Sequence, residues 1–176
     1  VGPGEYAFAQ VYGGGTAAEN TVCVDRDRVW MLGLKGLNRF DGLVVSPYEP
    51  DRARAFFESL RPGDLEGACA ALFEDRYFLA AKAGEGAGND SLLIVDRGRQ
   101  VWSTLAGLSV RAFCPTETAL YFTSAADPYG VYAFGQGEGV LPLRWVCGWQ
   151  DLGARHVRKS HFAVRLLVQS EVPVEL

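Results

Sequence analysis

Three stretches of the chain share one arrangement of apolar and polar positions. Cys23-Val-Asp-Arg-Asp-Arg-Val-Trp-Met-Leu-Gly, Ala71-Leu-Phe-Glu-Asp-Arg-Tyr-Phe-Leu-Ala-Ala and Phe113-Cys-Pro-Thr-Glu-Thr-Ala-Leu-Tyr-Phe-Thr-Ser each pass from an apolar stretch through a polar turn into an aromatic-rich apolar stretch. Apolar runs bounded by turn residues read as paired strands. Hairpin tips are therefore predicted at 25–28, 74–76 and 116–118. They recur at steps of about 45 residues, the length of one four-stranded propeller blade.

A third strand is predicted after each hairpin: Gly36-Leu-Asn-Arg-Phe-Asp-Gly, Ser91-Leu-Leu-Ile-Val-Asp-Arg-Gly and Gly130-Val-Tyr-Ala-Phe-Gly, each closing in Asp or Gly turn chemistry. Fourth strands are visible in two units, Gln100-Val-Trp-Ser-Thr-Leu and Leu143-Arg-Trp-Val-Cys-Gly-Trp, with Trp102 and Trp145 again about one period apart. A ring that large at a repeat position is expected to fill the space between neighbouring sheets.

The predicted fold class is all-β, a partial β-propeller of about three four-stranded antiparallel blades with one short helical insertion. The repeats cover 22–66, 67–107 and 108–152 of a single propeller-like domain or fragment over 1–176, and 153–176 supplies an extra strand or edge. Such sheets are apolar on both faces and must stack to bury them. Propellers close with about four to eight blades, so three leave a ring to be completed by further sequence or by self-association.

Between the first two repeats, Ser46-Pro-Tyr-Glu reads as a capping box with proline at the first helical position. A helix is predicted over 51–60, with Ala53, Phe56, Phe57 and Leu60 on one face to cover a sheet and Arg61-Pro-Gly as its stop. Towards the ends, 5–12 and 162–168 alternate as strands do.

Composition narrows the function classes. At 48% hydrophobic the chain can bury a core, and its formal charge of −4 argues against a nucleic-acid partner. No apolar run approaches the roughly 18 residues of a membrane span, and no signal-peptide layout opens the chain, so a soluble protein with no membrane partner is expected. The chain begins at Val1 with its one Met at position 31, which reads as a processed or excised piece. Cys23, Cys69, Cys114 and Cys147 are scattered singly, without zinc-site or disulfide-scaffold spacing, and read as free thiols of a reducing compartment.

Candidate chemistry is sparse. His156 and His161, five apart, would diverge on either a strand or a helix, a poor spacing for two ligands of one metal ion. The acidic residues Asp25, Asp27, Asp41, Glu74, Asp75, Asp90, Asp96 and Asp127 fall mostly at turns, where carboxylates cap their own backbone. Asp96-Arg-Gly-Arg-Gln-Val-Trp approximates the Asp-box turn of sialidase-like propellers with its aromatic one position late. Gly84-Glu-Gly-Ala-Gly lacks the Lys-Ser/Thr and helix of a phosphate loop, and the basic run 155–159 reads as a solvated rim. No catalytic residue, cofactor or metal ligand is assigned.

The order of Gly-Leu-x-Arg-Phe-Asp-Gly at 36–42, a helical insertion, Asp75-Arg-Tyr-Phe-Leu-Ala, Asn89-Asp-Ser-Leu-Leu-Ile-Val-Asp running into Trp102, and Trp149-Gln-Asp-Leu-Gly followed by Lys159 resembles bacteriophage and prophage tail-associated proteins with propeller-like domains. The likeness spans 22–168. It implies a non-enzymatic structural or interaction module of a longer tail polypeptide, located in the virion or the bacterial cytoplasm, with other subunits of the tail or virion assembly as partners. The alternative is a glycan-binding or carbohydrate-active propeller. Tyr48, Tyr129 and Trp149 are the expected contact residues on blade edges and loops.

Overall fold

Two antiparallel sheets carry the chain's described part. The structure is a computed structural model, and it describes residues 14–26, 28–48, 53–86, 88–99, 101–126 and 129–136. All of these lie in the first of two units, Val1–Glu138, and the second, Gly139–Leu176, lies outside the described residues. The expected strands at 5–12, 143–149 and 162–168 also fall outside them.

In the first sheet, β1 (Cys23–Asp25), β2 (Arg28–Gly33), β3 (Gly36–Phe40) and β4 (Val45–Pro47) are neighbours in that order. In the second the order is likewise sequential: β5 (Cys69–Phe73), β6 (Arg76–Ala81), β7 (Asn89–Asp96), β8 (Val101–Pro115), β9 (Leu120–Ser124) and β10 (Val131–Ala133). The predicted hairpin tips and third strands are all present. Arg26 and Glu74 adopt the left-handed backbone, φ 53° and 52°, that two-residue hairpin turns require. The fold is thus all-β and antiparallel with a short helical insertion.

Two features depart from the sequence reading. Ser46 and Pro47 do not cap a helix; they belong to β4, where Asn38 pairs with Pro47 and Arg39 with Ser46. Pairing at the sheet edge satisfies this backbone better than one capping bond, and an edge strand tolerates proline. The helix α1 (Arg54–Ser59) instead begins after Ala53 with no side-chain cap, and Leu60 turns extended before the 3₁₀ segment Pro62–Gly67.

The second departure is that repeats 67–107 and 108–152 are joined by one strand. β8 pairs with β7 through its first part and with β9 through its last. The repeat boundary falls at a bend in β8, where Gly107 has φ +85° and the register shifts on both sides, against β7 and against β9. The bend curls the sheet into a half-barrel that brings β8 beside β5. Asn89, 5% exposed, fixes the curl by donating to the carbonyls of Gly67 at 2.8 Å and Val110 at 2.9 Å.

The packing follows from strand alternation. One face of the second sheet carries the cross-strand row Leu72–Tyr77–Val95–Trp102, with Leu79 and Leu93 beside it. It packs against Trp30, Leu32 and Leu37 of the first sheet and against Ala53, Phe57 and Leu65 of the insertion. Its other face carries Ala71, Phe78, Ala80 and Leu92, and these meet Val110, Phe113, Leu120, Phe122 and Phe134 of the third repeat. Each large apolar side chain so buried contributes roughly 1.5–3 kcal/mol. As expected, α1 covers a sheet face and Trp102 fills the space between sheets, its ring 6.0 Å from Phe57.

Two polar contacts link the second sheet to β1 and the turn ahead of it. The fully buried Tyr77 hydroxyl donates to the Thr21 carbonyl just ahead of β1, at 2.8 Å. At the hairpin tips, Arg97 donates to Asp25 of β1 and to the Glu74 carbonyl, and lies 3.7 Å from Asp75. Removing only the hydroxyl separates polar from apolar contributions at Tyr77. Tyr77→Phe is expected to cost about 1 kcal/mol and Tyr77→Ala about 3–5 kcal/mol, read from urea unfolding midpoints; equal losses would contradict this packing.

Candidate functional site

The expected contact residues occupy different settings. Tyr48 follows β4, its N–H donating to the Leu37 carbonyl at 2.7 Å. Its half-buried ring meets Trp30 edge-on at 4.6 Å, stacks on Trp102 at 6.2 Å and lies under the Arg39 guanidinium at 5.6 Å. Tyr48 therefore closes the aromatic cluster between the two sheets. Tyr129, 78% exposed, precedes β10 in the third repeat and shares no ring contact with that cluster. Trp149, His156, His161 and the basic run 155–159 lie outside the described residues, as do Asp27 and Asp127.

Of the turn carboxylates, Asp41, Asp90 and Asp96 accept bonds from nearby backbone N–H groups, while Asp25 pairs with Arg97. Asp41 accepts from the N–H groups of Leu43 and Val44, and those bonds, Val44 first, hold its carboxyl below the ordinary range. Asp96 accepts from the Arg99 N–H at 2.8 Å, closing the turn that resembles an Asp-box. Asp90 is the most connected. It accepts from the N–H groups of Ala83, Gly84 and Gly86 and from the Ser91 hydroxyl.

Asp90 explains why the glycine-rich loop is not a phosphate cradle: the nest of N–H groups already holds an internal carboxylate. A Cβ at Gly84 would lie 2.6 Å from Asp90 Oδ2, and one at Gly86 3.1 Å from it, so the loop needs glycine to close on the carboxylate. Desolvation, the largest single influence, pushes the Asp90 carboxyl up; the donors from Ala83, Gly84, Ser91 and Gly86 outweigh it and hold the carboxyl below its usual value. The loop's closure is accordingly complete above the ordinary carboxylate range and is lost as pH falls through the lowered value.

An open depression of about 600 Å³ lies at one end of the second sheet. Asp64 and Glu66 of the 3₁₀ segment, Lys82 after β6, Asn89 and Arg111 line it. Lys82 and Asp64 pair across it at 3.6 Å. The lining is mixed in charge and offers ion-pair and hydrogen-bond partners, and among the described residues it holds no histidine, cysteine or hydroxyl side chain. It suits recognition of a polar surface. Sequence reasoning missed it, because its walls come from three separate connections and the middle of β8, which only the curl of that strand gathers.

Two of the thiols, Cys23 and Cys69, are held in the protonated form by burial. Burial pushes Cys23 and Cys69 up to about 11, against weaker lowering bonds from the Leu72 backbone and the Asn89 side chain respectively. Only Cys114 is exposed among the described cysteines. Among the described residues, no group of three His, Cys, Asp or Glu side chains is placed to hold a metal ion, and no helix is long and apolar enough to cross a membrane. No protein-family model and no curated protein matches the chain's sequence.

Asp90 gives a local test. In Asp90→Ala, cleavage after Glu85 by a glutamate-specific protease is expected to accelerate about tenfold while the thermal midpoint falls by no more than a few degrees. An unchanged cleavage rate would mean that the carboxylate does not hold the loop.

Proposed function

We propose that the chain is a non-enzymatic structural and interaction module, a run of stacked propeller-type sheets within a bacteriophage or prophage tail protein. The observation that carries the module reading is the burial of both faces of β5–β7, between the first sheet on one side and the strands after the β8 bend on the other. The innermost strands also neighbour one another in order, β1 beside β5 and β5 beside β8, as blades around an axis would. The tail assignment rests on the likeness over 22–168, and it puts the protein in the virion or, before assembly, in the bacterial cytoplasm.

On this reading the turn carboxylates and glycines are scaffolding, and partners meet the rim. Tyr129 and the mixed-charge depression around Lys82 and Arg111 are the features presented there. A glycan-binding propeller is the second reading, favoured by the same depression and by the Asp96 turn.

Three measurements separate these possibilities. Tyr129→Ala is expected to leave the unfolding midpoint unchanged and weaken a tail partner, whereas Tyr48→Ala is expected to lower stability by about 2 kcal/mol. Mass spectrometry of particles from an induced host that encodes the chain is expected to find its peptides in the tail fraction; tails without them contradict the assignment. Retention of one sugar class on a glycan array selects the second reading, and no retention rejects it.

A further inference from the structure

The two internal sheet interfaces are built from equivalent positions. Counting from each hairpin tip, the row Leu72–Tyr77–Val95–Trp102 of the second sheet corresponds to Leu120 and Phe134 of the third repeat, which are joined by the bond from the Phe134 N–H to the Leu120 carbonyl. Each row faces the strands of the repeat that precedes it in the chain. Leu72, Tyr77, Val95 and Trp102 meet the first sheet, and Leu120 and Phe134 meet β5–β7 across the curl of the second sheet. The covering faces correspond as well: Trp30 and Leu32 stand where Phe78 and Ala80 do. Stacking therefore runs in one direction, from face to equivalent face.

The first sheet carries the same row. Val24 pairs with Val29, Val29 with Phe40 and Phe40 with Val45, four apolar residues across four strands. Here the described residues place no further sheet against them: Val24 is 68% exposed, and Val29, Phe40 and Val45 are half-buried. At the far end, the third repeat carries the covering type of face with no described element against it: Ala112, Cys114, Tyr121 and Val131, the last 71% exposed. Among the described residues, one end of the stack thus presents an acceptor-type face and the other a donor-type face, both apolar.

We propose that two copies of this chain stack head to tail, the Ala112–Cys114–Tyr121–Val131 face of one on the Val24–Val29–Phe40–Val45 face of the other. The occupant is a second copy because the contact would continue the interface that the chain already uses twice internally. A heterologous contact of this kind closes into a ring when the rotation allows it and otherwise extends. The proposal rests on the stacked-module reading and names its partner.

The test uses the full chain in sedimentation equilibrium over a wide concentration range. Reversible association is expected, with Val24→Arg and Val131→Glu each raising the dissociation constant about tenfold or more. Mixing the two variants is expected to restore a dimer, since one still carries an intact acceptor and the other an intact donor. Maleimide labelling of Cys114, followed by peptide mass spectrometry, is expected to slow as protein concentration rises. A chain that stays monomeric throughout, or a mixture that fails to associate, overturns the proposal. Because both substitutions are at exposed positions, an unchanged thermal transition shows that lost association is not lost folding. A stable monomer also leaves the module reading standing, which the tail-fraction measurement tests separately.

Discussion

A strand with no polar face cannot lie at a protein surface, and β6 is such a strand. Tyr77, Phe78, Leu79, Ala80 and Ala81 are all essentially inaccessible, although alternate side chains point to opposite faces of the sheet. The second sheet must therefore be covered twice. The first sheet and the helical insertion supply one cover, and the strands after the β8 bend supply the other. Most of the remaining architecture serves this demand: Asn89 anchors the bend, Arg97 pins the hairpin tips, and the Tyr77 hydroxyl sets the first sheet's approach.

The same demand shapes what is left for function. Most apolar surface lies between sheets and several carboxylates hold turns, so on the module reading proposed above partners meet rim residues and end faces. The depression at Lys82 and Arg111 and the exposed Tyr129 belong to the rim. The aromatic cluster of Trp30, Tyr48 and Trp102 is rich enough to suggest a ligand platform in a list of residues, yet its rings are packed against each other. Aromatic abundance here reports stacking of sheets, which explains why Tyr48 and Tyr129 have such different settings despite similar loop positions.

Sequence patterning located the hairpin tips, the third strands and the covering helix face because each depends on local alternation or turn chemistry. It misread Ser46 and Pro47, where a capping box and an edge strand share the same residues and only pairing with β3 decides between them. The bend in β8 was equally out of reach, since Gly107 signals a break but not that the chain continues as one strand beyond it. The depression depends on that bend and was hidden with it. Asp90, by contrast, was legible as a turn carboxylate; its hold on three backbone N–H groups required the loop's closure to be seen.

Amide hydrogen exchange of β6 tests the double-sided burial most directly. If both covers are in place, the amides of β6 exchange only when the whole unit unfolds, and they are the slowest in the chain together with those of β7. Exchange at Tyr77 to Ala81 as fast as at the edge strands β4 and β10 would mean that one cover is missing, and the account would fail at its base.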